Sequence, residues 1–314
     1  MTELRAILAA DTAGDPMARR GLWTGFRLRE IAQRLRRVGL PICPNTVRRL
    51  LEKLGYALHS NRKSLCKSCP ERDRQFRYLR RQRKRFAAEG SPIISVDAKK
   101  REVVGNFKNA GQVWSRAPIQ VNDHDFPSLG HGVAIPYGVY DVEANRGCVT
   151  IGTSRNTPAF AVESIRHWWL CSGRYRYPAA TRLLILADNG SSNASATKLW
   201  KHALQEKLVD PFGLFVTVCH YPTGASKWNP VEHRLFSQIS KHWAGQPLRD
   251  YTNVQRLIRE TTTSTGLKVS CALDTRNYEK GIKLSQEQIS QISLFKHRVL
   301  SDWNYTFLPN ENRN

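Results

Sequence analysis

Five consecutive apolar residues, Leu183-Leu184-Ile185-Leu186-Ala187, lie between Arg182 and Asp188. A strand with one wet face alternates apolar and polar side chains, so an unbroken run of this length describes a strand covered on both faces. Such a strand needs a sheet with layers on either side. The neighbouring segments supply the rest of one: Pro92–Asp97 reads as a strand ending in a carboxylate, and Tyr137–Val142 and Cys148–Thr153 as two more around the turn 143–147. A further strand is expected over 214–220, with helices over Phe160–Trp169, about 193–208 and about 230–243, and an irregular Gly-, Asn- and Asp-rich stretch over 101–136. Strands followed by alternating strand and helix predict an α/β sheet with some antiparallel pairing.

The first part of the chain has a different pattern. Leu28, Ile31, Ala32, Leu35 and Val38 fall at helical spacing, Gly39-Leu40-Pro41 breaks it, and Val47, Leu50, Leu51 and Leu54 resume it before Gly55. Asn45 or Thr46 is the expected N-cap of the second helix. Helix, short turn and basic helix predict an all-α helix-turn-helix region over 1–60, with Arg48, Arg49 and Lys53 off the apolar stripe and available to DNA. Residues 61–90 read as a basic helical linker; Arg62–Arg85 alone carries eleven basic residues against Glu71 and Asp73. Gly90-Ser91-Pro92 marks a boundary. A sheet domain over 91–265 and a C-terminal extension over 266–314 complete the expected organisation.

Charge narrows the partner. The net charge of +23 is uneven: residues 1–90 hold 22 Lys and Arg against 8 Asp and Glu. That concentration predicts a polyanion, nucleic acid before an anionic membrane. With 40% hydrophobic residues among 314, the chain can bury a real core, and no apolar run approaches the ~18 residues of a membrane span. The amino-terminal residues lack a signal-peptide pattern, and seven scattered Cys suit reduced thiols, so a cytoplasmic, nucleoid-associated protein is expected. Cys66-Lys67-Ser68-Cys69 is the one CxxC; with only His59 nearby as a further ligand it reads as two ordinary thiols rather than zinc.

Three carboxylates stand out. Asp97 and Asp188 each end a hydrophobic strand, where sites in α/β sheets gather, although capping of the following turn explains Asp188 locally. Asn229-Pro230-Val231-Glu232 reads as a helix start, with Asn as N-cap and Glu232 in a capping box; Val231, Leu235, Ile239 and His242 or Trp243 would face the core, with Glu232, Phe236 and Ser240 at its edge. Hard oxygen ligands on separate elements of a basic chain suggest two Mg²⁺ or Mn²⁺ ions acting on phosphate, while spacing leaves open whether the three converge.

Across nearly the whole chain, collinear stretches carry a more specific signal. They include 95–100 (Ser-Val-Asp-Ala-Lys-Lys), 104–109 (Val-Gly-Asn-Phe-Lys-Asn), 124–127 (His-Asp-Phe-Pro), 135–141 (Ile-Pro-Tyr-Gly-Val-Tyr-Asp) and 160–165 (Phe-Ala-Val-Glu-Ser-Ile). They continue through 187–190 (Ala-Asp-Asn-Gly), 218–222 (Val-Cys-His-Tyr-Pro), 226–229 (Ser-Lys-Trp-Asn), 232–237 (Glu-His-Arg-Leu-Phe-Ser), 261–263 (Thr-Thr-Thr) and 303–306 (Trp-Asn-Tyr-Thr). In these the chain resembles the Rhodopirellula-type DDE transposases, insertion-sequence enzymes with a ribonuclease-H-like catalytic domain. The resemblance implies a ribonuclease-H-like mixed sheet flanked by helices, and a catalytic and metal-binding triad of Asp97, Asp188 and Glu232 on the first strand, the fourth strand and the last helix. Lys99 and Lys100, in the first matching stretch, and Lys227 and His233, which flank the third carboxylate, are the expected DNA contacts of this domain; Asp125 and Asp141 are kept off the metals. Two departures are visible: a shorter region before Gly14-Asp15-Pro16, bearing on terminal-repeat recognition, and Asn189 where a small residue such as Gly is expected, crowding or tuning the metal shell. The reading that follows is a transposase that binds double-stranded element ends and target DNA, synapses them as a homo-oligomer, and cleaves and joins strands with two divalent ions. The alternatives are a non-catalytic DNA-binding derivative and a nuclease that cleaves without joining.

Overall fold

The structure, a computed structural model, describes residues 2–9, 12–13, 23–58, 71–190, 192–225 and 228–310. The chain divides into two units, Met1–Leu65 and Cys66–Asn314. No helix among the described residues is long and apolar enough to cross a membrane.

In the first unit, α1 (Thr2–Ala9), α2 (Leu28–Arg37) and α3 (Pro44–Lys53) close on Leu4, Leu8, Ile31, Leu35 and Val47. Ile31, Leu35 and Val47 are residues whose helical spacing marks the apolar stripe, so α2 and α3 fall where that spacing puts them; Val38, at the end of the stripe, is exposed, and α1 with Leu4 and Leu8 is a helix the spacing does not indicate. The region is not all-α: β1 (Thr12–Ala13) pairs antiparallel with β2 (Trp23–Thr24). Nor do Asn45 or Thr46 cap α3. Cys43 does, because Pro44 takes the first helical position, where its fixed φ and missing N–H cost nothing. Arg48, Arg49 and Lys53 are exposed on α3, with Arg48 paired to Glu52 at 3.1 Å.

The second unit opens with α4 (Glu71–Ala88), then β3 (Ile93–Ala98), β4 (Glu102–Val104), β5 (Gly132–Asp141), β6 (Arg146–Gly152), α5 (Pro158–Trp168) and β7 (Arg182–Ala187). After these come α6 (Lys198–Leu204), β8 (Phe215–His220), a π-helical turn Val231–Phe236 running into α7 (Ser237–His242), and α8 (Tyr251–Arg259). The chain closes with β9 (Lys268–Asp274), α9 (Gln286–Ser290), β10 (Leu294–Lys296) and β11 (Asn304–Phe307). One nine-stranded sheet runs β10-β11-β8-β7-β3-β5-β6-β9, with β4 on β5. β3, β7 and β8 are mutually parallel, and β5 and β6 are antiparallel to their neighbours in the centre. Numbering the five central strands from β3, their order is third-second-first-fourth-fifth, the ribonuclease-H-like arrangement.

The run at 183–187 behaves as its composition requires. Leu183, Ile185 and Ala187 join the core with Phe160, Trp168, Trp200 and Leu204 on one face, and Leu184 and Leu186 meet Tyr78, Leu79 and Phe86 of α4 on the other. Two expectations of organisation change here. The 71–88 helix is packed on the sheet by those three apolar residues instead of serving as a linker. Residues 266–314 are not an appendage, since β9, β10 and β11 extend the sheet at both edges. The 101–136 stretch, expected to be irregular, holds β4 and the start of β5.

Candidate active site

The register of the sheet sets the first two carboxylates side by side. Val96 pairs with Ala187 across parallel β3 and β7, so Asp97 and Asp188 stand one step further along adjacent strands. Asp97 is 7% exposed, and one of its oxygens accepts the Ala98 N–H at 2.7 Å. Asp188 lies just past the end of β7, where Oδ1 accepts the Gly190 N–H at 3.1 Å. That is the turn-capping role expected of it; Gly190 has no room for a side chain, because a Cβ there would fall 2.6 Å from Asp188 Oδ2.

Glu232 reaches the same place from the helix layer. Gly138 is paired with Asp97, and a Cβ on it would meet Phe236 at 2.7 Å and Val231 at 3.0 Å. The missing side chain therefore lets the π-turn press onto the sheet beside Asp97. Within that turn the i→i+5 pattern shifts the phase of the helix. Phe236 is consequently buried in the core, whereas the helical spacing put it at the edge, and of the two candidates at the end of the stripe Trp243 is buried and His242 exposed.

Asn229 departs most from expectation. It stands at the expected position, just before Pro230 opens the helix, but its side chain does not cap the helix. The carboxamide is fully buried, accepting from Ser95 Oγ and donating to the Val96 carbonyl at 3.3 Å, while Ser95 Oγ accepts the Val231 N–H at 2.9 Å. Ser95 shares a strand face with Asp97, two residues on. This clasp joins the strand bearing the first carboxylate to the turn bearing the third.

A second buried network fixes Asp188. His220, 0% exposed at the end of β8, has Nδ1 at 3.0 Å from the Asp188 carbonyl and Nε2 at 2.8 Å from the Tyr305 hydroxyl. A carbonyl only accepts, so Nδ1 carries the proton and Nε2 accepts from Tyr305, whose oxygen accepts from Trp200 Nε1 at 3.2 Å. Tyr137 donates to Asn193 at 2.9 Å, and Asn193 donates to Asp188. Burial lowers the His220 pKa to about 4. The unfolded imidazole, with its ordinary value, takes up a proton first, so this group's contribution is complete above about pH 6.5 and is lost as pH falls toward 4. Between about pH 7.5 and about pH 5 the loss should be about 2 kcal/mol. Thermal unfolding of the wild type should show that acid slope and His220→Gln a shallower one; equal slopes would refute the assignment.

The three carboxyls raise one another's proton affinity. Burial, then the charges of Asp188 and Glu232, push Asp97 up to about 9. Burial also raises Asp188 and Glu232, with the Lys99 charge opposing the rise at Glu232. Among the described residues no three His, Cys, Asp or Glu side chains form a ready-made metal cage. The donor set is nonetheless all hard oxygen, clustered and mutually repelling, which suits Mg²⁺ or Mn²⁺.

The other expected residues divide. Lys100 and His233 are exposed. Lys99 is turned inward, paired with Glu102 and lying 4.7 Å over the Trp243 ring, so it acts on Glu232 as a local charge and is not displayed to DNA. Asp125 is exposed, and Asp141 sits at the far end of β5 under the Tyr177 hydroxyl, both apart from the triad. Asn189 does not crowd the carboxylates: its oxygen accepts the Ser195 N–H at 2.8 Å and closes its own loop. Lys227, the Cys66/Cys69 pair, His59 and the Gly14–Pro16 stretch lie outside the described residues.

The family model for the Rhodopirellula transposase DDE domain matches residues 3–309. The chain belongs to this transposase family. Across that span, the family's model takes in both units. Among solved structures, the chain is similar to the Mos1 transposase paired-end complex with left transposon end, at 14% identity and TM-score 0.44 over 82% of this chain and 69% of that one. It is also similar to a mariner Mos1 paired end complex with Mn, at 15% identity and TM-score 0.41 over 83% and 70% of the two chains. No curated protein matches it.

Proposed function

We propose that this member of the DDE transposase family binds the ends of its element and carries out divalent-metal-dependent strand cleavage and strand transfer. The observation that carries the reading is the register that sets Asp97 and Asp188 side by side on β3 and β7, with the turn bearing Glu232 pressed onto the sheet at Gly138, beside Asp97. Asp97, Asp188 and Glu232 would hold the ions. Two such ions, when bound, activate a water or 3′-hydroxyl nucleophile and stabilise the leaving oxygen of an in-line phosphoryl displacement.

The chain's own residues do the rest. Ser95 and Asn229 hold the Asp97 strand against the Glu232 turn, and His220 holds the backbone at Asp188. Lys99 places a positive charge beside Glu232. Lys100 and His233, exposed near the carboxylates in sequence, would take phosphate of the scissile strand; Arg48, Arg49 and Lys53 on α3 would enter the major groove as the second helix of a helix-turn-helix. Holding two ends together calls for more than one copy of the chain. Incubation with labelled terminal-repeat DNA, target DNA and Mg²⁺ should give joined product, lost on adding a chelator. Cleavage without joining would make the chain a nuclease, and a shifted band without chemistry a DNA-binding protein.

A further inference from the structure

The outer face of α4 forms one wall of a groove of about 870 Å³ that the catalytic reading leaves unused. Its floor is apolar and aromatic, with Phe76, Tyr221 and Trp228; its wall is basic, with Arg80, Arg83 and Lys84. Only Asp73 and Glu143 oppose them along the lining. On the same helix Arg85 is paired with Glu89, but Arg80, Arg83 and Lys84 form no ion pair among the described residues. Trp228 is held in place and stays partly exposed. Arg72 lies 4.7 Å over its ring, Phe76 meets it edge-on at 5.5 Å, and 39% of the residue remains exposed.

The groove adjoins the turn that carries the third carboxylate. Trp228 immediately precedes Asn229, the residue clasped to Ser95 and three before Glu232. Unneutralised cations call for phosphate. An exposed indole set among them calls for something more, because a duplex keeps its base faces stacked inside and offers an aromatic ring nothing to stack on. An unpaired strand offers both groups at once.

We propose that this groove binds an unpaired segment of DNA strand, with a base against Trp228 and the backbone along Arg80, Arg83 and Lys84. The inference rests on the transposase reading only for the source of the strand: DNA opened or cut beside the triad.

The test uses the full chain without added divalent ion, a single-stranded thymidine oligonucleotide carrying 5-iododeoxyuridine, and excess unlabelled duplex to occupy other DNA sites. Photocrosslinking and peptide mapping should place the adduct on Trp228, Phe76 or Tyr221. Trp228→Leu should lower crosslink yield and single-strand affinity at least fivefold, with duplex affinity unchanged. Because Trp228 packs against α4, the solvent-facing Arg80→Gln/Lys84→Gln pair serves as the second variant, and should give a comparable loss with an unchanged melting curve. Adducts confined to residues outside the groove, or single-strand affinity unmoved in both variants, would overturn the proposal. Asp97→Asn should keep the crosslink; retained crosslinking with no strand transfer in the wild type would sink the catalytic reading while leaving the groove standing.

Discussion

Replacing Asp97 by Asn is expected to lower strand transfer by roughly three orders of magnitude, about 4 kcal/mol of transition-state stabilisation, with DNA binding little changed. Asp188→Asn and Glu232→Gln should do the same, because each would remove one charged oxygen from the proposed set of three ligands. Asp97→Asn should also have an opposite effect on stability. In the metal-free chain at neutral pH this buried carboxyl is held protonated or repelled by two neighbours, and its raised pKa means that the folded state binds more protons than the unfolded one; stability therefore falls as pH rises from the ordinary carboxylate range toward about 9. A neutral amide escapes that cost, so the variant should melt higher than the wild type in the presence of chelator, by an amount that grows with pH. Calorimetry across about pH 5 to 8 and a strand-transfer assay on the same preparations check both halves. Full activity, or a variant less stable than wild type throughout, contradicts the triad as described.

The second large effect is expected away from the carboxylates. Asn229→Ala removes a fully buried carboxamide and leaves Ser95 Oγ without its acceptor and the Val96 carbonyl without this donor. Orphaned buried polar groups cost ~1–3 kcal/mol each, so unfolding free energy should fall by about 2–4 kcal/mol. Glu232, three residues on, loses its anchor to the Asp97 strand, and misplacing a reacting constellation by an ångström costs roughly a hundredfold in rate. The loss should appear in kcat with KM for DNA unchanged, since these side chains face the core. Asn229→Asp should fare no better, because it turns a donor into an acceptor against the Val96 carbonyl. Ser95→Ala combined with Asn229→Ala should cost less than the sum of the two singly. Additive losses would mean that the clasp does not act as a unit.

Periodicity made much of the fold legible. The strand at 182–187 announced itself by lacking alternation, and the α2–α3 pair by residues such as Ile31, Leu35 and Val47 at helical spacing. The later strands β9 to β11 carried no such mark: β9 is only partly buried, β10 is a three-residue edge strand, and β11 is a four-residue strand whose pairing with β8 is set by tertiary context. The carboxylates were conspicuous because Asp97 and Asp188 interrupt apolar runs. Their supports were not, since Asn229 occupies a position where local rules predict a cap and only the folded sheet brings Ser95 within reach. Ser95 did leave a faint signal, a hydroxyl two residues before Asp97 in an otherwise apolar strand. His220 and Tyr305 fall within the matching stretches 218–222 and 303–306, but nothing local pairs two residues lying 85 apart.

That last pairing bears on how the protein is made. His220 touches the Asp188 carbonyl through an imidazole whose other nitrogen is bonded to Tyr305, and Tyr305 belongs to β11, which closes the open side of β8. On the ribosome, all three carboxylates emerge well before this strand does. The backbone at Asp188 therefore gains its full support only once β11 has paired with β8, after all three carboxylates are in the chain.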